Sequence, residues 1–376
     1  MDKILFKNGM VYDPVRHTME KRDLALADGL IADTDGFTPD LSVDAEGCVI
    51  TPGLIDFHVH CHTDGSDGAN GADSFCLPNG VTTCVDAGTA GTANWAGFLR
   101  NVAGCVTRVK ALLHVAPEGQ TTGRHPENQT PADWDLDTIR LLCRKHPDMI
   151  AGLKVRMDER VLDPYGLREE PLAEAVKLAG ELGVRVVAHV NNPNVGCDRV
   201  AGLLRPGDVY CHMYAGTKRS ILDEDGKVRK EIREARERGV IFDASNGRGN
   251  FLFDVAEPCI RQGFLPDIIS TDMNPKVFFK HPVISMPRLL SRYLMLGLDI
   301  RDVFDRVTAA PARWLGLEDL ASMDTGTAAD VAVWRLNDKR VVHKDVLGNE
   351  RWGDRVLVPQ MTVKDGVIFY CQADFM

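Results

Sequence analysis

The sequence lacks an excess of positive charge. Over 376 residues, 44 Lys and Arg stand against 54 Asp and Glu, a formal net charge of −10. Nucleic acids and anionic membrane surfaces require clustered cations, so neither is an expected partner. None of the ten cysteines forms a Cys-x-x-Cys pair, which removes a zinc ribbon and a thioredoxin-type redox motif. No apolar stretch approaches the roughly 18 residues that span a bilayer. The opening MDKILFKNGMVYD has too short an apolar run for a signal peptide. Scattered thiols without such a signal fit a reducing cytoplasm, the expected location. G-x-S-x-G, G-x-x-x-x-G-K-[ST] and G-x-G-x-x-G are all missing. That excludes a nucleophile elbow, a phosphate loop and a dinucleotide fingerprint. Internal repeats and low-complexity tracts are absent too.

What is present is an ordinary globular composition, 44% apolar and 26% charged. Both ends read as short strands broken by turns: KILFKNGMVY, DLALADGLIADT and SVDAEGCVITPG, then ADVAVWRLN (329–337) and RVLVPQMTVKDGVIFY (355–370). Residues 1–52 and 325–376 are therefore expected to build one small β-sandwich, with 53–324 inserted as a second domain. That middle alternates eight Val- and Ile-rich runs with helical patterns. The runs are 54–57, 80–88, 107–116, 149–157, 184–190, 208–214, 239–245 and 268–273. The helical patterns are clearest at 92–104, 134–145, 168–182, 227–238 and 286–297. Eight such units predict an α/β fold, a (β/α)8 barrel of the TIM type.

The chemistry concentrates at the ends of those runs. In TPGLIDFHVH, His58 and His60 are two apart on a strand, so both point to one face. Two imidazoles on one face can hold one metal ion. Lys154, His189, His212 and Asp272 each fall in the last residues of another run. His60 to Lys154 spans 94 residues, then come gaps of 35, 23 and 60. At about 30 residues per strand–helix unit, these gaps place the residues on strands 1, 4, 5, 6 and 8.

This constellation resembles the amidohydrolase superfamily. The terminal sandwich and the segments GVTTCVDAG, VTAAPARWLGL and GTAADVAVW are similar to it as well. The segments GLKVRM, RPGDVYCHMY and PDIISTDM look most like its deacetylase-like branch, which is related to dihydroorotase. The resemblance implies two divalent metal ions, with zinc expected. His58, His60 and Asp272 would hold the more buried ion, and His189 and His212 the other. Lys154, carboxylated by CO₂, would bridge the two. A hydroxide shared by the ions would attack a carbonyl, with Asp272 as the catalytic base and then acid.

Substrate recognition rests on weaker signals. Arg156 follows Lys154 by two residues and could hold a substrate carboxylate. Arg124, Arg248 and Lys280 are further loop cations, and His114 and Tyr214 are polar groups at strand ends. The deacetylase-like branch usually carries His in the loops after strands 7 and 8, where Asn246 and Asn274 stand here. Dihydroorotases carry Arg two residues after the second His of the pair, where this chain has His62. Orotate-type chemistry is thereby disfavoured.

The expected function is hydrolysis of an amide or ester bond in a small molecule, an N- or O-acyl α-substituted carboxylic acid. A cyclic-amide hydrolase of the hydantoinase or imidase kind is the first alternative. A mononuclear deaminase and a non-catalytic scaffold are others. Assembly into a homo-oligomer is left open.

Overall fold

The structure is a computed structural model that describes residues 2–247, 249–275 and 285–376. Seven parallel strands form one sheet in chain order. They are β1 (Leu54–Val59), β2 (Val81–Asp86), β3 (Arg108–His114), β4 (Ile150–Asp158), β5 (Arg185–Asn191), β6 (Val209–Cys211) and β7 (Ile241–Asp243). Segment 268–273 touches both edges of this sheet without being a regular strand. Ile268 bridges Asp243 of β7, and Met273 bridges Val59 of β1. The amides of Ala244 and Asn246 donate to Ile268 and Ser270 carbonyls at 3.0 Å, and His60 N–H donates to Met273 O at 2.9 Å. The sheet thus closes into the α/β barrel.

The eighth position is irregular for a visible reason. A carboxylate, Asp56, intrudes between it and β1. Asp56 accepts Thr271 N–H at 3.0 Å and the Thr271 hydroxyl at 2.6 Å, where a regular ladder would use a carbonyl. Asp272 then turns left-handed, with φ 52°.

Phe57, Val85, Leu112, Val187, Val209, Cys211 and Ile268 fill the barrel's interior. Trp314 meets Phe57 edge-on, with ring centroids 4.8 Å apart. The larger core lies outside the strands, beneath the helices. The charged helix Lys230–Glu237 buries only Ile232 and Ala235, as a solvated outer helix should.

Two further sheets stand apart from the barrel: one of four strands, all within residues 4–44, and one of six strands that joins both ends of the chain. Cys48–Pro52 lies between Met10–Asp13, parallel, and Val331–Lys344, antiparallel. Ile4, Phe6, Leu26, Val43 and Ile50 from one end pack with Val331, Val333, Met361 and Val363 from the other. The C-terminal hairpin is longer than its sequence pattern suggests, pairing Val331–Lys344 with Glu350–Lys364. Its far half lies on the helix Met286–Met295, where Leu357 N–H donates to Ser291 Oγ at 3.0 Å.

This contact buries His343 completely, and neither ring nitrogen has a partner among the described residues. Burial, with Arg292 and Arg288 nearby, pushes its pKa down to about 3. The unfolded chain therefore binds a proton that the folded chain refuses between about pH 6.5 and pH 3. Stability from this group is whole above that window and is lost as pH falls through it, by about 1.4 kcal/mol per unit. His343→Leu is expected to shrink the fall in melting temperature between about pH 7.5 and pH 5. An equal fall in both proteins would refute the assignment.

Candidate metal centre

The barrel brings six side chains from distant positions together at the C-terminal ends of its strands. His58 Nε2 lies 3.4 Å from Lys154 Nζ and 3.7 Å from Asp272 Oδ1. His60 Nε2 lies 3.3 Å from the same carboxylate oxygen. One ligand atom from each of His58, His60 and Asp272 falls within 4.8 Å of the others. His189 Nδ1 and His212 Nε2 are 2.8 Å apart, and the His212 and His58 ring centroids are 5.1 Å apart. The two groups therefore adjoin.

Local structure sets each orientation. β1 gains a residue on β2 between Asp56 and Val59, which re-aims the His pair. His60 Nδ1 lies 2.9 Å from Thr89 Oγ1, which leaves Nε2 facing Asp272. His212 Nδ1 is 2.7 Å from the Ser245 carbonyl, which can only accept. Its proton is therefore on Nδ1, and Nε2 offers a lone pair to the cluster. Asn250 Nδ2 donates to Asp272 Oδ2 at 2.9 Å and leaves Oδ1 for the histidines. His212 and Asp272 both have left-handed backbones, φ 64° and 52°, a strain expected where function demands it.

The donor set fits metal ions. Burial drives His58 and His189 well below the ordinary imidazole range and His212 down to about 3. Neutral imidazole is the form that ligates. Burial raises the Asp272 pKa, but its hydrogen bond to His60 and the neighbouring imidazoles outweigh that and hold it ionised. Lys154 is completely buried, and desolvation lowers its pKa toward the neutral amine. Four imidazoles and a carboxylate are ligands that zinc and related divalent ions accept.

Gly247 carries Asp272 on its open side. Its φ is 49°, and an added Cβ would stand 2.3 Å from Asp272 Oδ2. Gly247→Ala is therefore expected to push the carboxylate away and lower kcat about ten-fold or more, with the fold intact. Unchanged steady-state kinetics would contradict this reading of Asp272.

The residues expected at the substrate divide. Arg156 faces the mouth beside His189, its register partner on β5. Glu127 accepts from Arg156 NH1 at 2.8 Å, and Asp158 lies 3.6 Å from NH2. Only Nε lacks a partner among the described residues. His114 ends β3 in register with Lys154 and is completely buried. Burial pushes its pKa down to about 4, so it is neutral. Asn274 Nδ2 donates to the Asp272 carbonyl at 2.8 Å and lies next to the site. Arg124 sits on an exposed loop. Arg248 and Lys280 lie outside the described residues.

Tyr214 and Asn246 are not brought to the cluster. The Tyr214 hydroxyl donates to Phe264 O at 3.3 Å in the outer core. Asn246 is completely buried; its Nδ2 is 3.1 Å from Tyr293 Oη, and Arg292 NH1 reaches its Oδ1 at 3.4 Å. His62 is also turned away, its ring packed against Phe98 at a 5.6 Å centroid distance.

Three acids at the site were missed in the sequence. Asp158 ends β4 with Oδ2 3.7 Å from His189 Nε2. Asp243 ends β7 with Oδ2 3.9 Å from His58 Nδ1. Both occupy the same strand-end phase as the other candidates, so that signal could have found them. Glu127 lies in an aperiodic loop and carries no such signal. Cys211 also sits beneath His58 with Asp243, but burial pushes its thiol up to about 12.

Known proteins share this architecture. The Amidohydrolase family profile matches residues 49–352. A deacetylase of Agrobacterium fabrum is 32% identical over 323 residues, covering 85% of this chain and 79% of the relative. Crystal structures of an adenine deaminase and a dihydroorotase superpose with TM-scores of 0.90 and 0.89, at 25% and 30% identity. The first covers 98% of this chain and 99% of its own, and the second 99% and 98%. Three different activity names on one architecture mean that the fold does not choose the reaction. The chain belongs to the amidohydrolase family, whose members include metal-dependent hydrolases, and it is one of them.

Proposed function

We propose that this protein hydrolyses the acyl amide or ester bond of a small N- or O-acyl α-substituted carboxylic acid. The observation that carries the reading is the convergence of His58, His60, Lys154, His189, His212 and Asp272 at one barrel mouth. The deacetylase names of the Agrobacterium fabrum relative and of an Enterococcus faecalis relative, 26% identical over 97% of this chain, support the acyl bond.

His58, His60 and Asp272 would hold one divalent ion, and His189 and His212 a second, with zinc the expected metal. Lys154 would serve both after its neutral amine bonds to CO₂, one C=O electron pair moving to oxygen and the amine proton leaving to solvent. Bound there, such ions polarise an acyl carbonyl and lower the pKa of water enough to give a nucleophile at neutral pH. The protein does the rest. Asp272 Oδ1 takes the proton released on attack and delivers it to the leaving nitrogen or oxygen. Asn250 steadies Asp272 through its other oxygen. Arg156, whose Nε has no partner among the described residues, is assigned the substrate carboxylate.

The test is a substrate panel on the zinc-loaded protein. N- and O-acetyl α-substituted acids are expected to turn over, and chelation is expected to abolish the activity. Opening of hydantoin or dihydropyrimidine rings, or deamination of adenine, with the acetyl compounds untouched would refute the proposal.

A further inference from the structure

One ring nitrogen of His114 has no hydrogen-bond partner among the described residues. Its Nδ1 accepts the Ala116 N–H at 3.0 Å, so the neutral ring carries its proton on Nε2. That Nε2–H is buried and has no partner among the described residues. A buried, unmade hydrogen bond costs about 1–3 kcal/mol, so such a group calls for an acceptor. Glu127, a nearby carboxylate, is held through both oxygens by Arg156, at 2.8 and 3.2 Å. Gly88, with φ 86°, has no side chain to fill the space between. A Cβ there would stand 2.7 Å from Lys154 Cγ and 3.1 Å from His114 Cδ2. The His114 ring and the Lys154 stem are thus neighbours across one glycine.

Depth separates two sources of an acceptor. His60, His189 and Asp272 keep 7–9% exposure at the mouth, while His114 and Lys154 have none. A substrate arriving from solvent meets the first three. An acceptor for His114 is more readily supplied by a side chain already buried beside it. We propose that His114 is a positioning residue for carboxylated Lys154, donating its Nε2–H to a carbamate oxygen. This rests on the carboxylated-lysine reading above and adds the group that orients and retains the carbamate.

The experiment titrates bicarbonate. Apoprotein of the full chain is reloaded with zinc over a range of ¹³C-bicarbonate concentrations, with bound metal and the carbamate ¹³C signal both measured. His114→Phe is expected to need about 10–100-fold more bicarbonate for half-maximal uptake of the second ion, as loss of an outer hydrogen bond to a ligand does. Saturating bicarbonate should restore two ions per chain. His114→Asn retains an acceptor for Ala116 N–H and a donor, and should fall between wild type and His114→Phe. It also serves if the Phe variant does not fold. Wild-type bicarbonate dependence in both variants would overturn the role of His114. So would a change confined to KM for the acyl substrate. If the wild type itself shows no carbamate carbon, the carboxylated-lysine reading fails and takes this one with it.

Discussion

Asp272→Asn is expected to lower kcat by about 10²–10⁴-fold, the range for removal of a positioned acid–base group. The amide keeps the size of the side chain and can still meet Asn250, which now donates to Oδ2 at 2.9 Å. What it loses is the negative charge facing His58 and His60 at 3.7 and 3.3 Å, and the ability to take a proton. Two imidazoles remain for the buried ion, so metal content should fall much less than activity. Steady-state kinetics on an acetyl substrate together with metal analysis check both. A variant that keeps more than about a tenth of wild-type kcat would show that the proton goes elsewhere.

Lys154→Met should cost more. Lys154 is completely buried, with His58 Nε2 at 3.4 Å. Methionine is unbranched and of similar length, so it fills the same channel without a cavity. It offers no oxygen. The expected result is loss of one of two bound ions and a fall in kcat of about 10³-fold or more. Formate or acetate, supplied at high concentration to Lys154→Gly, should restore part of the activity by placing a carboxylate where the proposed carbamate would stand. Two ions and full activity in Lys154→Met would contradict the shared lysine. One ion with undiminished activity would favour a mononuclear enzyme.

The metal cluster was legible because it obeys the strand period. His58 and His189 lie near the C-terminal ends of their strands, His60 and His212 just past them, and Lys154 midway along the long β4, and a parallel barrel gathers such ends at one mouth. The same rule failed for Tyr214 because β6 stops at Cys211 and His212 turns left-handed, φ 64°. Alternation cannot be carried past such a residue. Asn246 was misplaced for a different reason. Its partners Tyr293 and Arg292 come from a helix more than 40 residues on, and no local pattern announces that packing. Glu127 and Gln129 lie in an aperiodic loop, yet Gln129 Oε1 accepts Arg156 N–H at 3.2 Å and Glu127 holds the guanidinium. An eighth strand over 268–273 was expected; that segment closes the sheet through isolated bridges, its ladder broken by Asp56, and a carboxylate's choice of partner is a tertiary fact. The long C-terminal hairpin went half unseen because its outer residues, such as Lys339 and Arg340, are polar and exposed.

The central claim is that two ions share one lysine. Anomalous diffraction at the zinc edge, from crystals grown with zinc and bicarbonate, tests it most directly. The predicted result is two peaks, one bounded by His58, His60 and Asp272 and the other by His189 and His212, with density beyond Lys154 Nζ reaching both. A single peak beside a bare Lys154 amine would contradict it.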